Sequence, residues 1–314
     1  MNKKITVIGS LNYDVILKIP RLPFKGETLT ANGATFSAGG KGANQAVQAA
    51  KLKTPTYMVG CVGTDASADF LVNTAKEYGV NVDYIRKVPG SSGMGVINAV
   101  EDGSVYACIV RGANFEVTKE DVDNAMPILK ESGVCILQNE IPVEIIAYAI
   151  DKAKEAGCIV VLNAAPAIEL PEECLSKVDI LVVNEVEAEF YCHEKIDSVE
   201  KAKTEIKKMA EKYNNNVIFT LGKDGAVAYE NGTIEFIPAM KVDAIETTGA
   251  GDTFMGCMLG QILEMGYRDL EKNDLEKMLR FANAAASIIT TRRGALRVMP
   301  EKDEIIRLFC KPVK

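Results

Sequence analysis

Val134-Cys135-Ile136-Leu137-Gln138 opens a stretch that runs on through Val143 to Ala156 and closes with Cys158-Ile159-Val160-Val161-Leu162-Asn163. The outer pieces are short, β-branched and apolar throughout, as strands buried on both faces must be. The middle piece sets Ile145, Ile146, Ala149, Ile150 and Ala153 at three- and four-residue steps, the spacing of one helix face. Strand, helix and strand in that order make a parallel crossover unit. The same alternation predicts strands at about 5–9, 56–62, 134–138, 158–163, 179–184 and 217–221. Helices are predicted at Gly42–Lys53, Asp69–Tyr78, Lys119–Glu131, Val143–Ala156 and Ser198–Lys212. The fold class is therefore α/β, a mostly parallel central sheet flanked by helices on both faces.

Two stretches break that pattern. Asp14 to Phe36 alternates between punctuating Pro20, Pro23 and Gly26, and Gly93 to Arg111 carries two alternating runs around the turn Glu101-Asp102-Gly103-Ser104, a hairpin signal. Neither suits a parallel core, so both are expected in a small β-sheet standing off the main one as a lid. With no internal repeat or long linker, residues 1–314 read as one domain, the lid inserted from about 14–36 and 93–111.

Composition narrows the partners. The 314 residues are 47% hydrophobic, enough for a full core, and carry a formal charge of −7. An acidic chain has no field to attract a nucleic-acid backbone or an anionic membrane, so an anionic ligand must be gripped locally. The first apolar run is too short for a signal-peptide core and no run reaches about 18 residues, which predicts a cytoplasmic protein. The eight cysteines show no CxxC spacing and read as free thiols. His193 is the only histidine, which nearly excludes a histidine triad or a multi-histidine metal site.

The richest segment is Glu246-Thr247-Thr248-Gly249-Ala250-Gly251-Asp252-Thr253-Phe254, followed by an apolar helix to about Met265. Small residues at a helix start expose backbone N–H groups where the dipole is positive, which suits a phosphate. Asp252 in that first turn is either a dipole-favoured carboxylate or a base beside the phosphate. A second glycine cluster, Ala38-Gly39-Gly40-Lys41-Gly42-Ala43-Asn44-Gln45-Ala46, also opens a helix. Asn12 and Asp14 follow the first strand, Glu140 follows strand 134–138, and Asn184 ends another before Glu185 and Glu187. Each alone reads equally as a turn, cap or solvated loop. Together with Thr220-Leu221-Gly222 they gather at carboxyl strand ends and helix starts, where open α/β sheets bind ligands.

These ordered motifs, with Asn163-Ala164-Ala165-Pro166-Ala167 and Phe281-Ala282-Asn283-Ala284-Ala285-Ala286, resemble those of ribokinases within the ribokinase-like (PfkB) carbohydrate kinases, and the likeness spans essentially the whole chain. It implies phosphorylation of D-ribose by ATP. The sugar would be held by Asn12, Asp14, Gly40, Lys41, Asn44 and Glu140, with Asp252 as base and the Gly249, Ala250 and Gly251 amides as the anion hole. Asn184, Thr220, Gly222, Gly251 and Asn283 match the nucleotide site, and Glu187 matches a position that holds Mg2+ through water. Glu246, Thr248, Arg293 and Val298 match the loops of a monovalent cation such as K+. The family also implies a homodimer through the lid. Two positions depart from the pattern: Glu246 stands where aspartate is usual and Val298 where serine is common, so weakened or altered K+ dependence is expected. Rival readings are a kinase for 2-deoxyribose, a ketohexose or a nucleoside, and a non-catalytic sugar sensor on the same fold. A Rossmann dehydrogenase is disfavoured, because Gly9-Ser10-Leu11-Asn12 is no G-x-G-x-x-G turn.

Overall fold

Successive residues of a strand point to opposite faces, so a strand with both faces buried needs apolar residues throughout. The computed structural model, which describes residues 4–102, 104–266 and 274–310, shows this at each central strand. The strands are β1 (Ile5–Ile8), β2 (Asn12–Ile19), β3 (Gly33–Gly39), β4 (Thr56–Val62), β5 (Val80–Lys87), β6 (Gly93–Val100) and β7 (Val105–Val110). They continue as β8 (Val134–Gln138), β9 (Ile159–Asn163), β10 (Ile180–Asn184), β11 (Asn216–Thr220), β12 (Gly225–Glu230) and β13 (Thr233–Pro238). The helices are α1 (Lys41–Lys51), α2 (Ala68–Glu77), α3 (Lys119–Asn124), α4 (Met126–Glu131), α5 (Val143–Glu155) and α6 (Glu172–Lys177). After them come α7 (Glu185–Cys192), α8 (Val199–Tyr213), α9 (Ala250–Met265), α10 (Asp274–Thr290) and α11 (Lys302–Phe309).

The large sheet has the order β13-β12-β11-β10-β9-β8-β1-β4-β5, parallel from β11 to β5 with β12 and β13 added antiparallel. Val134, Ile136, Ile159 and Val161 join one core cluster, packed by α1, α9 and α10. Cys135, Leu137, Val160 and Leu162 join the cluster beneath α5 and α8 on the other face. Helix α5 contributes Ile145, Ile146, Ala149 and Ile150, all buried, and cutting Ile146 to alanine would cost about 2–5 kcal/mol.

Chain order runs outward from β1 in one direction through β4 and β5, and from β8 in the other through β9 to β11. The reversal lies between β1 and β8, so a crevice opens beyond their carboxyl ends.

The second sheet has the order β3-β2-β6-β7, with β2 and β6 parallel and the other pairs antiparallel. Its first segment begins earlier and ends later than the expected 14–36, for β2 starts at Asn12 and β3 runs to Gly39. The hairpin of β6 and β7 forms as predicted, with Val100 N donating to Ser104 O at 2.9 Å, and Gly103 of its turn lies outside the described residues. One predicted helix is corrected: Lys119–Glu131 is two short helices meeting at Ala125, where Pro127 at the start of α4 cannot continue the hydrogen-bond ladder of α3.

Candidate functional site

Helix α9 is buried along most of its length and packs against α1, which places the starts of the two helices side by side. Gly256 allows the approach: a Cβ there would stand 2.5 Å from the Gln48 Cβ. Asp252, in the first turn of α9, consequently meets two amides of α1. Asn44 Nδ2 donates to its Oδ2 at 2.9 Å and Gln45 Nε2 to its Oδ1 at 2.9 Å. Gly249 caps α9 in the left-handed region, at φ 76°. The Ala250 N–H turns back to the Thr247 carbonyl at 3.1 Å, so of the three expected anion-hole amides, those of Gly249 and Gly251 stay open among the described residues.

A cavity of about 190 Å³ lies here, lined by Lys41, Asn163, Asn184, Glu187, Thr220, Gly249, Gly251 and Asp252, among others. The structure thus joins residues that are 211 positions apart in sequence, from Lys41 to Asp252, around one space. Burial works against the Lys41 ammonium, but the carboxylates of Asp252, Glu140 and Glu187 outweigh it and hold its pKa above the usual lysine value.

Asn12, Asp14 and Glu140 gather beside this cavity at the root of the second sheet. Glu140 takes hydrogen bonds from Ser10 Oγ and, at 3.1 Å, from the Lys41 backbone amide at the start of α1. Burial, then the charges of Glu140 and Asp252, push the Asp14 carboxyl up to about 7. Asn12 is 2% exposed and its Oδ1 accepts from Asn114 Nδ2 at 2.7 Å. Gly40 is the residue before α1 and brings that helix start beneath these groups.

At the other end of the cavity Asn184 and Glu187 form a reciprocal capping box, at 2.9 and 3.0 Å, which opens α7. Desolvation raises the Glu187 carboxyl above its ordinary value. Thr220 ends β11 alongside, its Oγ1 donating to Val183 O at 3.5 Å. Gly222 lies in the turn beyond, outside the cavity wall, and Asn283 of α10 spends its amide on the carbonyls of Ile237 and Pro238 at 3.1 and 3.4 Å. Glu246 accepts from Gly294 N at 3.2 Å, which ties the loop before α9 to the one after α10. Thr248 and Arg293 are exposed, and Val298 ends a short turn whose carbonyl accepts from Arg292 Nη1 at 2.9 Å.

Gln45, Asn114, Gln138 and Asn163 were not singled out as site residues by the sequence reading. Gln45 and Asn163 sit inside motifs that were recognised, so their place was findable. Asn114 and Gln138 carry no local signal, because they reach the site only through the crossing of β1, β2, β6 and β8.

Comparison with known proteins agrees with this geometry. The model of the pfkB family carbohydrate kinases matches residues 2–302. A deoxyribokinase of Salmonella typhi is 35% identical over 302 residues, covering 96% of each chain. A ribokinase of Staphylococcus aureus is 34% identical over 307 residues, covering 97% of this chain and 99% of its own. The solved Arabidopsis thaliana ribokinase, complexed with ribose and ATP, superposes with a TM-score of 0.89 at 32% identity, covering 99% of this chain and 100% of that one. The fold, the gathered motifs and these matches lead to one assignment: the chain belongs to the pfkB family of carbohydrate kinases.

Proposed function

We propose that this kinase transfers the terminal phosphoryl group of ATP to the 5-hydroxyl of D-ribose, giving ribose 5-phosphate and ADP. The observation that carries the reading is Asp252, its two oxygens held by Asn44 and Gln45 at the edge of a cavity that opens onto the Gly251 amide. Asp252 takes the proton of the sugar hydroxyl as its oxygen attacks the terminal phosphorus and the bond to ADP breaks. Lys41 and the Gly249 and Gly251 amides face the charge that develops. Asn12, Asp14, Gly40, Lys41, Asn44 and Glu140 hold the sugar, and Asn184, Thr220, Gly222 and Asn283 border the nucleotide. Closing the second sheet as a lid excludes the water that would otherwise take the phosphoryl group.

Among the described residues no three carboxylate, thiol or imidazole groups lie close enough to hold a bare metal ion. Mg2+ fits through water on Glu187 and Asn184, since the capping box engages one Glu187 oxygen and both residues line the cavity. When bound it neutralises phosphate charge. A homodimer through the lid is proposed on the large apolar side chains left exposed there, Phe36, Tyr106 and Ile109, and sedimentation of the purified protein tests it. Residence in the cytoplasm is part of the same reading, and no helix among the described residues is long and apolar enough to cross a membrane.

A second reading, 2-deoxyribose as the sugar, is favoured by the deoxyribokinase match, whose 35% identity equals or exceeds that to ribokinases. ATP consumption with Mg2+ across ribose, 2-deoxyribose, fructose and several nucleosides separates the two. A clear preference for ribose supports the proposal, whereas preference for another sugar overturns the substrate, and silence throughout favours the sensor.

A further inference from the structure

Every polar atom of the Gln45 amide has a partner. Its Nε2 donates to Asp252 Oδ1 at 2.9 Å and to Asn163 Oδ1 at 3.0 Å, and its Oε1 accepts from Gln138 Nε2 at 2.8 Å. Turning the amide over would set its oxygen against two acceptor oxygens and its NH2 against the NH2 of Gln138. One orientation is therefore enforced. Gln45 and Gln138 are both 0% exposed, and neither lines the cavity, so any influence on a ligand passes through another residue. Gln138 packs against Gly9, where a Cβ would stand 2.0 Å from its Oε1, and that oxygen takes no hydrogen bond, so its one amide bond is the one to Gln45.

We propose that Gln45 is the positioning residue of Asp252 and that Gln138 sets the orientation of Gln45. The inference rests on the reading of Asp252 as the base. With Asn44 alone, the carboxylate would be fixed at Oδ2 and free to swing about that bond. The second donor fixes the plane of the carboxylate. Because Gln138 ends β8 and Asn163 ends β9, the rim of the central sheet dictates the direction in which Asp252 presents its free lone pairs. Buried amide chains of this kind act as a unit, so removing an outer link is felt at the inner one.

Gln45→Met keeps the side-chain volume and removes both polar ends. With the pentose that the substrate panel selects, kcat is expected to fall roughly 10–100-fold, as for small misplacements of a reacting group, while KM for sugar and ATP stays within about threefold. A carboxylate free to swing is misplaced only when it must take the proton, so the loss is expected in kcat and not in either KM. Gln138→Met, one link further out, is expected to lower kcat by less, again with both KM values held, and it carries the test if the first variant does not fold. A kcat unchanged in both folded variants, or a fall in kcat matched by a rise in both KM values, overturns the proposal, since a merely structural role disturbs binding along with turnover. Asp252→Asn measured alongside keeps the two readings apart: lost turnover there with an unchanged Gln45→Met sinks the positioning role alone, and unchanged turnover there sinks the base and the positioning role together.

Discussion

Asn114 Nδ2 donates to Asn12 Oδ1 at 2.7 Å, while the Oδ1 of Asn114 accepts the Leu11 amide at 2.9 Å. The pair joins the start of β2 to the turn that follows β7, at the root of the small sheet. Because the Asn12 oxygen is taken, its NH2 is the end left for a sugar oxygen. Asn114→Leu frees the amide to turn over and leaves two buried groups unpaired, at about 1–3 kcal/mol. Sugar KM should rise roughly tenfold with ATP KM unchanged. Equal loss for both substrates would assign Asn114 to general stability.

The Asp14 carboxyl, lifted from 3.8 to about 7 by burial first and then by Glu140 and Asp252, gives a pH signature. Between those values the folded chain keeps a proton that the unfolded chain has lost. Its contribution to stability is thus full below pH 3.8 and disappears as pH rises through about 7. Sugar binding has the opposite demand, for hydroxyl donors need the ionised form. Sugar KM should climb toward tenfold per pH unit below about 7, and Asp14→Asn should flatten that slope. A slope unaltered in the variant would assign the ionisation elsewhere.

Glu246 spends one oxygen on Gly294 N at 3.2 Å, joining the two loops in which the sequence resemblance leads us to expect a monovalent cation. A protein-supplied link in that position predicts weak or altered stimulation by K+, and Glu246→Asp should strengthen it by shortening the side chain. Turnover measured in K+ against Na+ decides this. Strong stimulation of the unmodified protein, equal to that of typical members, contradicts the prediction.

Gly256→Ala puts a methyl 2.5 Å from the Gln48 Cβ and must push α9 off α1, a strain of about 1–3 kcal/mol. Since Asn44 and Gln45 ride on α1 and Asp252 on α9, kcat should fall along with thermal stability. Loss of stability with full kcat would mean that the helix contact does not set the site.

Much of this was legible in the sequence, and the misses have physical causes. Buried parallel strands announce themselves by unbroken apolar runs, so β1, β4, β8, β9, β10 and β11 were readable. Strand β5 was not, because Val80–Lys87 mixes Asn81, Asp83, Arg86 and Lys87 into an edge position with one face in solvent. Strands β12 and β13 extend the other edge and were missed likewise. The small sheet was readable from its alternation and turn residues, though not the parallel pairing of β2 with β6, which joins segments 81 residues apart, from Asn12 to Gly93. The glycine-rich helix starts, Lys41, Asn44 and Asp252 followed from motif order. Gln45, which holds Asp252, lies inside a recognised motif, whereas Gln138 behind it and Asn114 beside Asn12 depend on which strand ends meet, and no local pattern records that.

Asp252→Asn, assayed with ATP, Mg2+ and the preferred pentose, tests the central claim most directly, with sugar and nucleotide binding measured by calorimetry on the same preparation. The expected result is turnover lowered by roughly 10²–10⁴-fold with both ligands still bound, the loss of a general base. Turnover within a few-fold of the unmodified protein would contradict the account and reduce Asp252 to a carboxylate placed to favour the start of α9.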